Sequence, residues 1–478
     1  METSTDNALS SVLAAQRAAF LRDGPPRLAQ RRADLTRLKR ALLAFRRDFE
    51  QAIDADFGHR PQLEIALMEC VPVVQGIKYL HRHLRGFMRP QRRHVAAHFK
   101  PARAWVQYQP LGVVGILSPW NYPLSLSLMP LATAIAAGNR VLLKPSELTP
   151  RTSALLQRML AQLYPPEQVS VITGGPEVGA AFSALPFDHL IFTGSTRVGR
   201  QVMRAASDNL VPVTLELGGK SPAIIDRKFA LPRAAKALVY GKLSNAGQTC
   251  IAPDYALVHA DEVGAFARAY RAAVTAAYPG GAADAAYTTI INLRHHDRLR
   301  ALIADATAKG AQVIEFGARD AQTSQGVRAD ALHERVLPPT LILGATADMA
   351  VMQEEIFGPI LPVITYRELD EAIAFVNARP RPLALYLFSD RNRTINRVLK
   401  RTTSGGVSIN DTLLHYAQDD LPFGGIGSSG MGAYHGEEGF KSLSHAKAVF
   451  RQSKRNPAAV ARAPFGRLTG LVLRWLLR

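Results

Sequence analysis

The sequence predicts an α/β fold in two domains, each built on a largely parallel sheet with helices on both faces. Three observations carry that expectation. At 478 residues the chain is long enough for two or three cores at roughly 100–200 residues per domain. Its strand-like segments are short, continuous apolar runs, the pattern of strands buried on both faces. Helix-like stretches separate these runs, as crossovers between parallel strands require. A hydrophobic content of 47% excludes a mainly disordered chain.

Taken in order, residues 8–60 read as helix, dominated by Leu, Ala and Arg with no proline after Pro26. Arg103–Gly115 switches to strand chemistry through Trp105, Val106, Tyr108, Leu111, Val113 and Val114. The runs Arg140–Lys144, Gln168–Ile172 and His189–Phe192 follow, each flanked by Gly, Pro or a helical pattern. A second series comprises Tyr255–Val258, Gln312–Ile314 and Leu361–Ile364. A boundary near residue 217 separates the two series. Two cysteines, Cys70 and Cys250, are too few for a disulfide framework or a multi-cysteine zinc module. No run reaches the ~18 apolar residues of a membrane span, and the first residues lack a secretory pattern, so a cytoplasmic protein is expected.

The formal charge of +19 invites a nucleic-acid reading, but its distribution argues against one. Segments 81–103 and 451–478 each carry seven Lys/Arg and no Asp/Glu, leaving 44 basic against 39 acidic residues elsewhere. Neither segment holds a nucleic-acid motif, and solvated surface or salt-bridge partners in an oligomer explain the charge. In the last segment Leu468, Leu471, Val472, Trp475 and Leu476 fall on one helical face, with Arg467, Arg474 and Arg478 largely outside it. Such a helix fits an anionic membrane surface or a protein surface, its own or a partner subunit's.

Five stretches carry chemistry. Cys250 closes Asn245-Ala-Gly-Gln-Thr-Cys250, a small, polar setting unlike that of Cys70 beside Leu67 and Met68, and a reactive thiol needs such access and backbone donors. Glu216, in Thr214-Leu-Glu-Leu-Gly-Gly-Lys-Ser-Pro222, lies between two leucines, where desolvation raises a carboxylate toward general-base range. The alternative there is a structural salt bridge to Lys220. Asn121, in Pro119-Trp-Asn-Tyr-Pro123, is either a turn residue or one arm of an oxyanion hole. Lys144 and Glu147, in Lys144-Pro-Ser-Glu147, end a strand within reach of ribose hydroxyls, and a glutamate there repels a 2′-phosphate. Ile191-Phe-Thr-Gly-Ser-Thr-Arg-Val-Gly199 reads as strand, turn and helix, with Gly194 freeing the backbone and a helix N-terminus facing a pyrophosphate.

With Glu354-Glu-Ile-Phe-Gly-Pro359 and Pro422-Phe-Gly-Gly-Ile-Gly-Ser-Ser-Gly-Met-Gly432, these stretches occur in an order that resembles the NAD(P)-dependent aldehyde dehydrogenase superfamily from about residue 15 to residue 450. The ending, and Leu413-Leu-His-Tyr-Ala-Gln-Asp-Asp-Leu-Pro422 before it, is similar to the class 3 branch and within it to the bacterial coniferyl aldehyde dehydrogenases. The resemblance implies a Rossmann-like NAD-binding domain over 1–217 interrupted by oligomerisation strands at 98–112, and a catalytic domain over 218–408. It further implies a closing and oligomerisation segment over 409–455, a basic tail over 456–478, and a homodimer. It makes Cys250 the nucleophile, Asn121 with the Cys250 N–H the oxyanion hole, and Glu216 the base that activates water against a thioester. Trp120, Lys144, Glu147, Gly194, Ser195, Gly199, Glu355 and Phe357 become the cofactor residues, with NAD expected over NADP and no metal. The substrate is a small aldehyde, aromatic by the nearest resemblance, with a fatty aldehyde as the alternative that the amphipathic tail suits. Classes 1 and 2 carry a further Glu where this chain has Tyr434-His435, leaving Glu216 as the candidate base.

Overall fold

The computed structural model describes residues 4–317 and 333–477. A six-stranded sheet has the order Gly430–Met431, Val213–Leu217, His189–Gly194, Val113–Leu117, Arg140–Lys144, Val169–Val171, parallel except at the first pair. Its strands are mostly apolar because successive side chains enter different cores. Val114 and Ile116 face the N-terminal helices and the wholly buried helix Ser125–Ala137, while Val113 and Leu117 face Phe182, Leu215 and Leu217. A seven-stranded sheet runs Gln312–Glu315, Thr340–Leu343, Ile360–Tyr366, Tyr255–His259, Pro222–Ile225, Ala384–Phe388, Gly406–Ile409, with only the first pair antiparallel. The third sheet is antiparallel and small: Gln91–Arg93, Arg103–Pro110 and Ser444–Arg451.

The stretch expected as continuous helix over 8–60 is three helices, Ser4–Asp23, Leu28–Ala44 and Arg46–Phe57. The first break falls at Gly24, which adopts φ +67°, followed by two prolines that offer no backbone donor. The predicted strand over Arg103–Gly115 divides between Arg103–Pro110, in the small sheet, and Val113–Leu117, in the six-stranded one, with Gly112 at φ +143° turning the chain between them. The C-terminal stretch returns to the first sheet and sets Gly430 opposite Glu216. A Cβ on Gly430 would lie 2.0 Å from the Leu215 carbonyl, so only glycine lets this strand approach. The tail ends in the helix Arg467–Leu476, with Leu468, Leu471, Trp475 and Leu476 exposed and Val472 half-buried. Arg478 lies outside the described residues. Among the described residues no helix is long and apolar enough to cross a membrane.

Candidate active site

The carboxyl ends of the parallel strands in the first sheet deliver Pro119–Asn121, Gly194–Ser195 and Gly218 to one edge, where an open α/β sheet binds its ligands. Facing them across a cleft are Cys250, His295 and Arg298 of the helix Leu293–Ala308, and Glu355 and Phe357.

The Cys250 loop is built by its own sequence. After the helix Leu231–Leu243, Asn245, Ala246 and Gly247 take φ of +51°, +50° and +74°, a left-handed run that non-glycine residues adopt only when held. Gln248 supplies the hold: its side-chain amide donates to the carbonyls of Asn245 (3.0 Å) and Thr289 (3.1 Å), and its Oε1 accepts from the Ile291 N–H (2.9 Å). A Cβ on Gly247 would meet the Gly358 carbonyl at 2.3 Å. The Thr249 hydroxyl pairs with Tyr122 Oη at 2.7 Å. Asn121 Nδ2 donates to the Gln248 carbonyl at 3.0 Å, which fixes the amide plane and leaves its second proton for another acceptor. Burial, with the charges of Glu355 and Glu216 added, pushes the Cys250 thiol up to about 12.

Glu216 is 3% exposed, and among the described residues neither carboxylate oxygen has a hydrogen-bond partner. Burial therefore holds it well above the usual carboxylate range. Lys220 does not pair with it; that ammonium bonds Asp254 and the carbonyls of Val351 and Glu354. Glu355 is pushed up to about 8, by burial first and then by Asp254. Gly218 is where this carboxylate needs room, since a Cβ there would lie 2.0 Å from its oxygen. Phe357 takes φ +52°, and its loop is held by Arg298, which donates to Glu354 at 2.8 Å and to the Ile356 carbonyl at 2.5 Å. The Trp120 ring packs against Phe357 at 5.4 Å and His295 at 5.2 Å.

Eight of the expected residues thus share one cleft: Trp120, Asn121, Gly194, Ser195, Glu216, Cys250, Glu355 and Phe357. Three lie off it. Lys144 (4% exposed) ends its strand 3.5 Å from the carboxylate of Glu147, whose side chain is 40% exposed. Gly199 is buried in the helix Thr196–Ser207, where a Cβ would meet Leu217 at 2.6 Å; it brings helix and strand together rather than lining the cleft. The edge fits a dinucleotide in other respects: strand ends, a glycine turn and a helix whose N-cap Ser195 accepts from Val198 N–H converge on it. Among the described residues no group of three His, Cys, Asp or Glu side chains is placed to hold a metal ion.

A second cavity opens on the other side of Cys250 and Glu216. It is lined by Met68, Tyr122, Leu126, Leu413, Phe423 and Tyr434, and it shares Met68, Leu413 and Tyr416 with an outer cavity that also reaches His435 and Asp419. Together they form an apolar, ring-lined passage to the thiol, opposite the cleft.

Sequence reasoning missed what holds the two loops together. Arg60 is wholly buried; its Nη1 donates to Glu69 (2.8 Å) and to the Asn121 carbonyl (3.1 Å), and its Nε to Glu64 (3.2 Å). Glu69 accepts the N–H groups of Leu124 and Ser125 at the start of the Asn121-side helix, while Glu64 accepts the Asn245 N–H. The guanidinium lies over the Tyr122 ring at 4.8 Å.

The description "Aldehyde dehydrogenase family" belongs to the family whose profile matches residues 1–449. A Pseudomonas aeruginosa protein named "Probable coniferyl aldehyde dehydrogenase" is 50% identical over 461 residues, covering 96% of this chain and 94% of the relative. The solved structure described as the substrate-bound state of Staphylococcus aureus AldH superposes with a TM-score of 0.90 at 36% identity, covering 98% of this chain and 99% of that one. A Mycobacterium tuberculosis aldehyde dehydrogenase complexed with NAD+ gives 0.83 at 28% identity, covering 95% and 91%.

Proposed function

We propose, since this chain belongs to the aldehyde dehydrogenase family, that it oxidises an aromatic aldehyde of the coniferyl type to its carboxylate with NAD. The observation that carries the substrate class is the narrow passage to Cys250, walled by the rings of Tyr122, Tyr416, Phe423 and Tyr434. Such walls favour a flat ring through offset and edge contacts, and the name of the Pseudomonas aeruginosa relative points the same way.

In this reading the Cys250 sulfur attacks the aldehyde carbon. The oxygen that becomes negative receives the free proton of the Asn121 amide and the Cys250 N–H, donors fixed before reaction. A nicotinamide held in the cleft would supply the hydride acceptor through which the thiohemiacetal on Cys250 becomes a thioester. Glu216 faces both cavities and so reaches the thioester carbon region; it takes a proton from water, the resulting nucleophile attacks the thioester, and the carboxylate leaves with the thiol restored. Glu355 and Phe357 orient the nicotinamide end, Trp120 walls it, and Gly194 with Ser195 meets the phosphates. Lys144 and Glu147 hold the distal ribose, where the half-exposed Glu147 carboxylate accepts from a 2′-hydroxyl and repels a 2′-phosphate, favouring NAD over NADP. The free edge of Ser444–Arg451, eight residues long, supports pairing with a second copy into a homodimer.

The test is NADH formation with coniferyl aldehyde beside a series of linear alkanals. Higher kcat/KM on coniferyl aldehyde supports the reading, and a preference that rises with alkyl length overturns it in favour of a fatty aldehyde.

A second reading concerns location. The helix Arg467–Leu476 exposes Leu468, Leu471, Trp475 and Leu476 on a segment with seven basic residues and no acidic one, a combination that favours an anionic bilayer surface. Sedimentation with phosphatidylserine vesicles is expected for the full chain, to fall in 0.5 M salt (on the order of a 4 Å Debye length), and to vanish on deleting 467–478. Equal sedimentation of the truncated chain would refute it.

A further inference from the structure

The passage is apolar in its walls but contains hydrogen-bonding atoms with nothing to bond. Among the described residues both ring nitrogens of His435 lack a partner although the residue is 2% exposed, and the Tyr416 hydroxyl, with Ser125 as its polar neighbour, is buried without one. His435 is clamped by rings, with centroids 4.8 Å from Tyr434, 5.1 Å from Tyr416 and 5.2 Å from Phe423, so it does not swing out to find solvent. Burial brings its imidazolium pKa down to about 4; the ring is neutral near pH 7, with one N–H to give and one lone pair to fill. Buried polar atoms are normally satisfied, and those that are not call for a ligand, a water or an ion. Tyr416 stands where the inner cavity meets the outer one, and His435 lines the outer one. An aryl aldehyde whose carbonyl sits at Cys250 carries its ring outward past these two side chains.

We propose that Tyr416 and His435 form a polar subsite that reads oxygen substituents on the ring of the aldehyde. The ligand class is a hydroxylated arylpropenal, with or without a neighbouring methoxy group: its phenolic O–H fills the imidazole lone pair, and its ring oxygens accept from the imidazole N–H and the Tyr416 hydroxyl. An alkanal of similar length would cover the same atoms and leave them unpaired, and a site built to hydrogen-bond a substrate hydroxyl discriminates strongly against analogues lacking it. The inference rests on the aromatic-aldehyde reading above.

The test compares kcat/KM for coniferyl aldehyde and for cinnamaldehyde, which keeps the propenal arm on a bare ring. It uses the unmodified chain, Tyr416→Phe, His435→Phe and His435→Gln. The preference for coniferyl aldehyde over cinnamaldehyde is expected to drop roughly tenfold in each phenylalanine variant and to recover in His435→Gln, which restores a donor and an acceptor. Cinnamaldehyde turnover reports folding in each variant, and if His435→Phe does not fold, Tyr416→Phe decides. An unchanged ratio overturns the subsite and leaves the aromatic reading standing. An unmodified enzyme that oxidises neither aromatic aldehyde overturns that reading, and the subsite with it.

Discussion

Cys250→Ala forms no NADH with any aldehyde, whereas Glu216→Gln forms about one equivalent per active site and then nearly stops. The two substitutions separate because, in the proposed reaction, the two side chains serve different halves. Without the sulfur there is no thiohemiacetal and no oxidation. Without the Glu216 carboxylate the thioester still forms, but water at its carbon loses its base, a loss of about 10²–10⁴-fold in the steady rate. Stopped-flow absorbance of NADH distinguishes a burst from no reaction. The pH dependence has a definite sign. Burial holds Glu216 well above the ordinary carboxylate range, and the base works only when ionised, so hydrolysis of the preformed thioester, a step that does not need the Cys250 thiol to ionise, rises with pH over an interval where a solvated glutamate would already be fully charged. Glu216→Gln loses that limb. A steady rate in Glu216→Gln equal to the unmodified one, or a pH profile that keeps the same limb, would remove Glu216 from the role.

Local chemistry was legible in the sequence, whereas long-range support was not. The apolar runs at Arg140–Lys144 and His189–Phe192 announce their strands because burial on both faces demands an unbroken run, and a strand begins at each of those first residues. The cysteine loop stands out in sequence by its small, polar residues, but the bonds by which Gln248 holds it reach Thr289 and Ile291 and show only in the fold. Helix breaks were less so: Phe45, between two helices, has no proline or glycine to mark it. His295 and Arg298 sit in Asn292-Leu-Arg-His-His-Asp-Arg-Leu-Arg300, which reads as a solvated helical face; only tertiary packing turns two of its side chains into the cleft wall. Arg60 is the extreme case. In Gly58-His-Arg-Pro61 it looks like a loop cation, and the acceptor that matters to the chemistry, the Asn121 carbonyl, is 61 residues away. No periodicity connects the two. The unpaired atoms of Tyr416, Tyr434 and His435 are invisible for the same reason, since an unsatisfied group is a property of its surroundings.

That hidden arginine sets the last expected result. Arg60→Met destabilises the protein by about 3–5 kcal/mol, the range for breaking a buried ion pair from one side, because Glu69 keeps its charge inside the protein with its guanidinium gone. The lowered midpoint in urea reads this directly. Catalysis responds separately. Arg60 ties the Asn121 backbone to Glu69 on one side and, through Glu64 and the Asn245 N–H, to the Cys250 loop on the other. Losing it loosens the spacing between the thiol and the Asn121 amide, the proposed oxyanion donor, a kind of group whose removal elsewhere costs about 10²–10³ in kcat. Arg60→Lys separates the two effects: the ammonium retains the charge but lacks the planar fork that reaches three acceptors at once. Its stability falls less than that of Arg60→Met, while kcat still falls at least tenfold (about 1.4 kcal/mol) with the KM for NAD unchanged. Adding Glu69→Gln to Arg60→Met returns part of the stability by removing the unpaired charge, yet returns no activity, because the Asn121 carbonyl remains unheld. If activity recovers in step with stability across these variants, Arg60 acts only through the fold; if kcat stays low while the urea midpoint rises, it sets the distance between the nucleophile and the oxyanion donor.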